Sequence, residues 1–263
     1  MDFGQFIWFI GEVVDVEDPE QLSRVKVKIH GKHTMEQNIG KENLPWAIVA
    51  TPTSSASMNE VGTMPHALLV GSQVVGFFTD GKAEQVPMIL FSFPSKTEGE
   101  KDVSKLARGE NTIPRNITGY EPKEPYGAEY PYNIVHKTKA GHVIEIDDTP
   151  GKERLNVHHK SGSYYEFHPN GDVTRKSFNS DYDIIIKDKS IWVGSNVKEY
   201  IGGNYTLEVG GNFTMKVGGN HSTTVGGRTS LNSSGAYSMK TSANATWSSS
   251  SQSKFTASVI RLN

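Results

Sequence analysis

Five consecutive segments of eight residues decide the fold of this chain: VGSNVKEY (193–200), IGGNYTLE (201–208), VGGNFTMK (209–216), VGGNHSTT (217–224) and VGGRTSLN (225–232). The same phase continues weakly through SSGAYSMK (233–240) and TSANATWS (241–248). A fixed internal period indicates an architecture in which one copy cannot bury its apolar side chains alone. We therefore predict stacked β-structure here, with octapeptide repeats from about residue 185.

Each octad carries its apolar residues on one face of a strand. Position 1 is Val or Ile, position 5 is often aromatic or β-branched, and position 7 is often Leu or Met. Odd positions share a face because successive side chains of a strand alternate. The glycines at positions 2 and 3 permit a turn or a close backbone approach. Three chains around one axis, or successive coils of one chain, would bury this apolar stripe.

Short strand patterns separated by turn residues fill residues 1–95. Val25, Val27 and Ile29 alternate with Lys26 and Lys28, which is the period of a half-buried strand. Five or six short strands in this length predict a small barrel. The predicted strands are Phe6 to Val16, Arg24 to Ile29, Trp46 to Val49, Ala67 to Val70, Gln73 to Phe78 and Val86 to Phe93.

Residues 96–130 separate this region from a second strand-rich region. They carry too few large apolar side chains for a core, so we predict an extended linker with one short helical stretch near Lys101 to Ala107. Strand patterns return at residue 131, with hairpin turns expected at Lys139 to His142 and at His168 to Asp172. The predicted domains are therefore 1–95, 96–130 and 131–263.

The composition excludes several classes of function. The 263 residues carry a net charge of -2, so there is no overall basic footprint for nucleic acid. The absence of cysteine excludes disulfides and thiolate metal sites. No stretch approaches the roughly 18 apolar residues that a membrane helix needs. The first residues lack the basic start and the cleavage site of a signal peptide, and we expect none.

Two groups of side chains could carry chemistry. Glu145, Asp147 and Asp148 could serve as acid–base or metal-binding carboxylates, but no partner base or nucleophile pattern accompanies them. We interpret them as a strand ending in an acidic turn, and we expect no catalytic residues and no cofactor. His158 and His159 are adjacent on a strand and point to opposite faces, so they do not easily share an ion.

His221 and His168 are the other histidines that could bind a metal. His221 lies at octad position 5, where three copies in a trimer would meet near the axis and could hold an ion or water. A core histidine with a hydrogen-bond partner is the commoner role, so we expect no metal site. His221 is the weak candidate for an exception.

The predicted barrel also contains basic and aromatic residues that could form a groove for single-stranded nucleic acid. The near-neutral charge of the chain disfavours this role, and we interpret Lys26 and Lys28 as a solvated strand face. The residues concerned are Arg24, Lys26, Lys28 and Lys32 with Trp8, Phe9 and Trp46.

Several segments resemble the central tail spike family of T-even-type contractile phages. WFIG (8–11) through DP (18–19), LSRVKV (22–27), GKHT (31–34) and LPW (44–46) are similar to the N-terminal oligonucleotide/oligosaccharide-binding (OB) domain of that family, and the octads to its C-terminal trimeric β-helix. IEIDDTPGKER (144–154) followed by HKSGS (159–163) also resembles the related VgrG spikes of type VI secretion. The resemblance covers nearly the whole chain in collinear order.

The resemblance implies an all-β protein with an N-terminal OB-fold barrel, a linker and a C-terminal triple-stranded, intertwined trimeric β-helix. Three chains would wind their octads around one axis, with the inward side chains forming a narrow core. The T-even spike carries a lysozyme domain between barrel and β-helix, whereas only residues 96–130 occupy that place here, so no catalytic residue carries over. The predicted trimer-core residues are Val193, Ile201, Val209, Phe213, Met215, Val217 and Val225.

The implied function is that of a rigid, non-enzymatic homotrimeric needle in the tail baseplate of a virion. It would be synthesised in the host cytoplasm and would pierce the host cell envelope during sheath contraction, with transient envelope contact. The implied partner is a baseplate hub ring protein at the N-terminal domain. The apolar end of the last predicted strand, Ala257 to Asn263, also predicts a small conical, PAAR-like tip protein at the C-terminus. The predicted tip interface consists of Val259, Ile260 and Leu262.

Other functions are compatible with the repeat itself. A monomeric β-helix could be a carbohydrate-binding adhesin, and a VgrG-like spike could belong to a secretion system. A carbohydrate-active enzyme would need clustered carboxylates, and the octads contain only Glu199 and Glu208 as acids.

Overall fold

The computed structural model describes residues 6–33, 39–59, 61–94, 121–123 and 125–259. The chain forms two compact units, Met1–Lys189 and Ser190–Asn263, which are considered separately below. The predicted helical stretch at Lys101 to Ala107, and residues 96–120 of the predicted linker, lie outside the described residues. Among the residues that are described, no helix has the length and apolar character needed to span a membrane.

The first part of the Met1–Lys189 unit is a closed five-stranded barrel. Its strands are β1 (Ile7–Asp15), β2 (Val25–Ile29), β3 (Trp46–Val49), β4 (Gln73–Phe78) and β5 (Pro87–Phe93). They are ordered β1-β2-β3-β5-β4, with β4 pairing back onto β1. The β3–β5 pair is parallel and the other pairs are antiparallel. Short 3-10 helices occur at Lys41–Asn43 and Gly81–Ala83. The predicted small barrel is confirmed.

Alternating apolar side chains fill the barrel. Along β4, Val74 and Phe78 point inward while Gln73, Val75 and Phe77 are only half-buried. This alternation follows from the period of two of a strand. The buried core consists of Phe9, Val13, Val25, Val27, Ile29, Ala47, Val74, Phe78 and Ile89.

Gly76 is required where β4 crosses β5. The register between these strands shifts at Val75/Gly76. A Cβ atom at Gly76 would lie 2.1 Å from the carbonyl oxygen of Met88 and 2.8 Å from Cζ of Phe9. Only glycine permits this close approach of two backbones.

The strand predicted at Ala67 to Val70 is wrong. These residues belong to the long connection between β3 and β4, and a turn closes there as Ser72 N donates to Leu69 O at 2.9 Å. Leu68 packs against the barrel core, whereas Leu69 and Val70 are exposed. The apolar run therefore reflects one anchoring side chain and an exposed patch rather than a strand.

The second part of the same unit is a five-stranded antiparallel meander. Its strands are β6 (Asn133–Lys137), β7 (Val143–Asp147), β8 (Arg154–His158), β9 (Tyr164–Phe167) and β10 (Val173–Lys176). Each strand pairs with the next along the chain, in the spatial order β10-β9-β8-β7-β6. The alternation of Glu and Asp with Ile along β7 separates the two faces of this sheet.

Three of its four connections share one hairpin geometry. In the loops 138–142, 159–163 and 168–172, the first residue donates its N–H to the carbonyl of the fifth at 2.8–2.9 Å. The glycine in fourth place, for example Gly171 with φ 85°, adopts the left-handed conformation that closes such a loop. The hairpin turns expected at Lys139 to His142 and at His168 to Asp172 are therefore present.

Candidate functional site

The octads have a regular backbone pattern in the structure. Backbone bends occupy octad positions 2 and 3 and recur every eight residues, from 186–187 to 250–251, without losing phase. The bends therefore continue through the Ser-rich octads in which the sequence repeat is weak. The glycines that occupy these positions in the clear repeats, such as Gly218, do not have a positive φ.

The apolar side chains of the octads are all substantially exposed in the single chain. The position-1 residues from Val193 to Val225 are each 47–50% exposed. At the other core positions, Phe213 is 65% and Met215 58% exposed. The equal exposure of successive position-1 residues shows that each octad repeats the same local geometry. Within one chain, the predicted core residues do not bury one another.

The backbone of the same segment forms no strand ladder within the chain. From residue 177 to residue 259, all of which the structure describes, no residue belongs to a strand. The N–H groups of Phe178, Ala243 and Ser251 donate to serine or threonine hydroxyls instead of to a neighbouring strand. Backbone polar groups in folded proteins are paired in the great majority of cases. The segment is also free of Pro, so its backbone N–H groups are not blocked from pairing with strands.

The β6–β10 sheet has an exposed apolar face, which we call the apolar sheet face. Its side chains are 38–54% exposed, although they are large and aliphatic or aromatic. Contiguous exposed apolar patches of this kind mark interaction surfaces. The residues of the apolar sheet face are Ile134, Ile144, Ile146, Leu155, Val157, Tyr165, Phe167 and Val173.

The opposite face of the sheet is buried and charged. Arg154 lies between two carboxylates: its guanidinium donates to Glu166 Oε2 at 2.7 Å and to Glu145. Glu145 also accepts from Asn133 Nδ2 at 2.8 Å, and His168 Nε2 lies 3.3 Å from Glu166 Oε1. The side chains of Arg154, Glu145 and Glu166 are 0–3% exposed. We call this group the Arg154 network.

A segment preceding β6 packs over the Arg154 network through polar contacts. Glu121 Oε1 lies 2.7 Å from Lys176 Nζ and accepts from the Tyr164 hydroxyl at 3.2 Å. The Tyr126 ring centroid lies 4.9 Å from the Arg154 guanidinium carbon. Residues 121–123 and 125–130, which fall within the predicted linker, therefore pack against the sheet.

The candidate carboxylates have structural roles in this arrangement. Glu145 belongs to the Arg154 network, and Asp147 Oδ1 accepts from Thr149 N at 3.0 Å in the turn that follows β7. Asp148 is exposed. The strand β7 ends at Asp147 and a turn follows, as the interpretation of an acidic turn expects. The buried arginine between the two glutamates was not predicted, because its partners lie on different strands.

The candidate histidines lie apart. His158 is buried and stacks on Tyr164 with ring centroids 6.3 Å apart, whereas His159 is exposed in a hairpin loop beside His142. His168 contacts Glu166 and Thr174, and His221 Nε2 lies 3.5 Å from Thr223 Oγ1. Within the described part of the chain, no three His, Cys, Asp or Glu side chains are placed to hold a metal ion.

The basic residues of the barrel are engaged in contacts within the chain. Arg24 pairs with Asp18 at 2.7 Å, and Lys32 pairs with Glu84. Lys26 is only 8% exposed, and its ammonium donates to the carbonyls of Lys41 and Glu42 at 3.0 Å each. The interpretation of Lys26 as part of a solvated strand face is therefore wrong. Its ammonium lies 5.0 Å from the Trp46 ring centroid.

Only one residue of the predicted tip interface lies within the described residues. Val259 is 66% exposed, whereas Ile260 and Leu262 lie outside them. The tip interface stays a prediction.

Two family sequence models match the chain. Residues 28–121 match the Gp5 N-terminal OB domain, and residues 203–226 match three copies of the Gp5 C-terminal repeat. The first match begins within β2 of the barrel, and the second lies within the octads.

Two curated phage proteins are similar to the chain. Protein Gp5 of Vibrio phage KVP40 is 29% identical over 269 residues, covering 75% of this chain and 63% of that protein. The pre-baseplate central spike protein Gp5 of Enterobacteria phage T4 is 33% identical over 136 residues, covering 46% of this chain and 24% of that protein. The chain thus spans less than two thirds of the length of either relative.

Proposed function

Because the chain is homologous to the phage Gp5 proteins, we propose that it is the structural central spike of a contractile phage tail baseplate. Three copies form a rigid needle that pierces the host cell envelope when the sheath contracts. The proposal places the protein in the virion tail. The octad segment is the observation that carries it: the segment belongs to no strand of the single chain, and its large apolar side chains stay exposed there.

An assembly of three chains both pairs the open backbone groups of the octads and buries their apolar side chains. Side-by-side strands from different copies pair the backbone groups that one extended chain leaves open. The position-1 residues then turn toward a common axis and bury each other, together with the residues at positions 5 and 7. Closure of the strands around the axis leaves no lateral edge, which makes the assembly stiff.

The octad glycines support interchain packing. They do not need a left-handed backbone, and a Cβ atom at Gly203, Gly210, Gly211 or Gly218 would meet nothing within 4 Å in the single chain. A recurrent glycine without a positive φ or a close neighbour in its own chain is explained by close approach of another chain.

The apolar sheet face, which precedes the octads in the sequence, also supports the assembly of three copies. Large apolar side chains are exposed on that face while charged ones are buried on the other, which is the reverse of a sheet that folds alone. Contact between the apolar sheet faces of three copies removes this surface from water. At about 25 cal/mol per Å² of apolar surface, such contact is a main source of assembly energy.

The proposed role is mechanical and non-enzymatic. One relative is named a pre-baseplate central spike protein. Asp147 accepts a hydrogen bond in a turn and Glu145 belongs to the Arg154 network, so neither is free for acid–base work. The barrel is the proposed docking domain for a hub ring protein, and a conical PAAR-like protein is the proposed tip partner. A peptidoglycan hydrolysis assay on the purified chain should give the rate of the buffer control.

The absolute mass of the full chain in solution, measured by light scattering at low concentration, tests the proposal. A mass near three times 28.9 kDa is expected, with the slow migration of an elongated particle. A mass of one chain would refute the trimeric needle. It would leave a monomeric β-helix, and glycan binding would then be the function to examine.

A further inference from the structure

A groove on the barrel has properties of a binding surface that the needle itself does not require. It lies between the β1–β2 connection (16–24) and the part of the β3–β4 connection that the structure describes as 57–59 and 61–68. Two cavities of about 570 and 390 Å³ adjoin there and share Met64 as a lining residue. We call this surface the loop groove.

The floor of the loop groove is apolar. Leu22, Met58, Val61 and Met64 line it and are 51–66% exposed. Methionine is unbranched and polarisable, and it is frequent at surfaces that adapt to the shape of a bound segment. Four large apolar side chains around one concavity form an anchor site for apolar side chains of a ligand.

One rim of the groove is acidic. The β1–β2 connection carries Glu17, Asp18 and Glu20, of which the last two pair with Arg24 at 2.7 and 3.4 Å. Glu17 lines the larger cavity, is exposed, and forms no salt bridge among the described residues. The groove therefore offers an unneutralised carboxylate beside an apolar floor, which complements a ligand that is both apolar and positively charged.

The walls of the groove are held in an uncommon backbone conformation. Of the five non-glycine residues with positive φ in the described chain, four line this groove: Gln21, Ser23, Ser57 and Asn59, with φ between 50° and 59°. Such conformations cost free energy and persist where the surroundings fix them, often at ligand-binding sites. The walls are tied together because His66 N donates to Ser23 Oγ at 3.0 Å.

We propose that the loop groove binds a basic amphipathic segment of a partner polypeptide. Apolar side chains of that segment enter between Leu22, Met58 and Met64, and a lysine or arginine pairs with Glu17. The inference rests on the proposed function in one respect, namely that the barrel is the domain that docks to a hub protein. The loop groove of a second copy does not fit as the ligand, because the acidic rims of the two copies would then face each other.

A synthetic peptide tests this on the full-length protein. The probe is a fluorescently labelled amphipathic peptide of leucine and lysine, with a matched peptide in which glutamate replaces lysine, and fluorescence anisotropy reports binding. The lysine peptide should bind and the glutamate peptide should not. Glu17→Lys should weaken binding roughly two- to five-fold, as expected for one surface ion pair. Met64→Ser should weaken it roughly ten-fold through lost apolar contact.

The control variants distinguish an effect at the groove from an effect of net charge and from loss of folding. Asp188→Lys makes the same change in net charge at an exposed position outside the groove and should leave the affinity unchanged. Leu22→Ser serves as a second apolar variant, and the melting curve of each variant reports its folding. Equal binding of both peptides, or equal weakening by Asp188→Lys and Glu17→Lys, would overturn the proposal.

Light scattering on the same samples distinguishes the two proposals. Failure of peptide binding with an intact trimer mass removes the groove proposal and leaves the needle standing. A change of mass in the Glu17 or Met64 variants would assign the groove to contacts between copies and would also overturn the binding of a partner segment.

Discussion

Asp18 organises the first loop of the barrel. Its carboxylate accepts the backbone N–H groups of Glu20, Leu22 and Arg24 at 2.9–3.2 Å, and Arg24 donates to it through Nε and Nη2. The hydrogen bond from the Arg24 side chain is the main reason why the pKa of Asp18 is well below its ordinary value, with the backbone donors adding to it against desolvation. This one side chain therefore shapes a wall of the loop groove.

The ionised form of Asp18 stabilises the barrel, so its contribution depends on pH. A carboxylate with a depressed folded pKa stabilises fully above its unfolded pKa of about 4, and this stabilisation is lost as pH falls through the folded pKa. Asp18→Asn should therefore lower the melting temperature by a constant amount between about pH 5 and pH 8, and by less below about pH 4. Melting curves of both proteins across this range provide the measurement. A difference that stays constant to the lowest pH would contradict the prediction.

Lys26 marks the limit of sequence reasoning at the residue scale. The alternation of β2 was predicted correctly, and the alternation assigned Lys26 to the outward face. The short helix at Lys41–Asn43 places two carbonyl oxygens around its ammonium, and Trp46 lies alongside. A strand pattern carries no information on which loop will cover an outward side chain.

At the scale of elements, the β6–β10 sheet is built around the Arg154 network. Removing one partner of a buried ion pair leaves a buried charge without its counter-charge, which costs about 3–5 kcal/mol. Arg154→Met should therefore lower the stability of the protein by about this amount, because Glu145 and Glu166 lose the guanidinium between them. Thermal melting at fixed protein concentration measures the effect.

Arg175 on β10 provides the matched control. Its pair with Asp181 is exposed, with side chains 55% and 52% accessible. Surface pairs contribute at most about 1 kcal/mol, so Arg175→Met should change the melting temperature little. Equal effects of the Arg154 and Arg175 variants would show that the Arg154 network does not stabilise the sheet.

The strands of this sheet could be predicted from the sequence, but the roles of its faces could not. Ile144 and Ile146 alternate visibly with Glu145 and Asp147, and the glycine turns fix the hairpins. A single sequence with this pattern predicts the apolar side as the buried one. In the single chain the charged side is buried instead, because the segment that begins at Glu121 covers it. Which face is covered therefore depends on contacts between residues far apart in the sequence.

At the scale of the whole molecule, the octads were the part best predicted. Their period and phase are confirmed by the bends that recur every eight residues. The shared face of positions 1, 5 and 7 stays a prediction from β-geometry. The loop groove was not predicted, because its walls come from two connections that the barrel brings together. The sequence indicates the loop groove only through two methionines, Met58 and Met64, that lie between predicted strands.

A needle with a shared axis should tolerate charge on one side of its strands only. In the proposed trimer, Val209→Asp places three carboxylates close together near the axis, where desolvation and mutual repulsion both disfavour them. The melting temperature of the assembly should fall sharply, while Thr214→Asp, on the outward face of the same octad, should change it little. Similar effects of the two variants would contradict an axial position for Val209.

The unbroken phase of the bends from 186–187 to 250–251 also has a genetic consequence. Each octad is an interchangeable unit, since deletion of residues 209–216 would join Glu208 to Val217 and leave every later bend in place. Recombination between similar repeats in the coding sequence would then add or remove whole units in frame. In the proposed needle, the number of octads would change in whole units during evolution, while the rest of the chain stays the same.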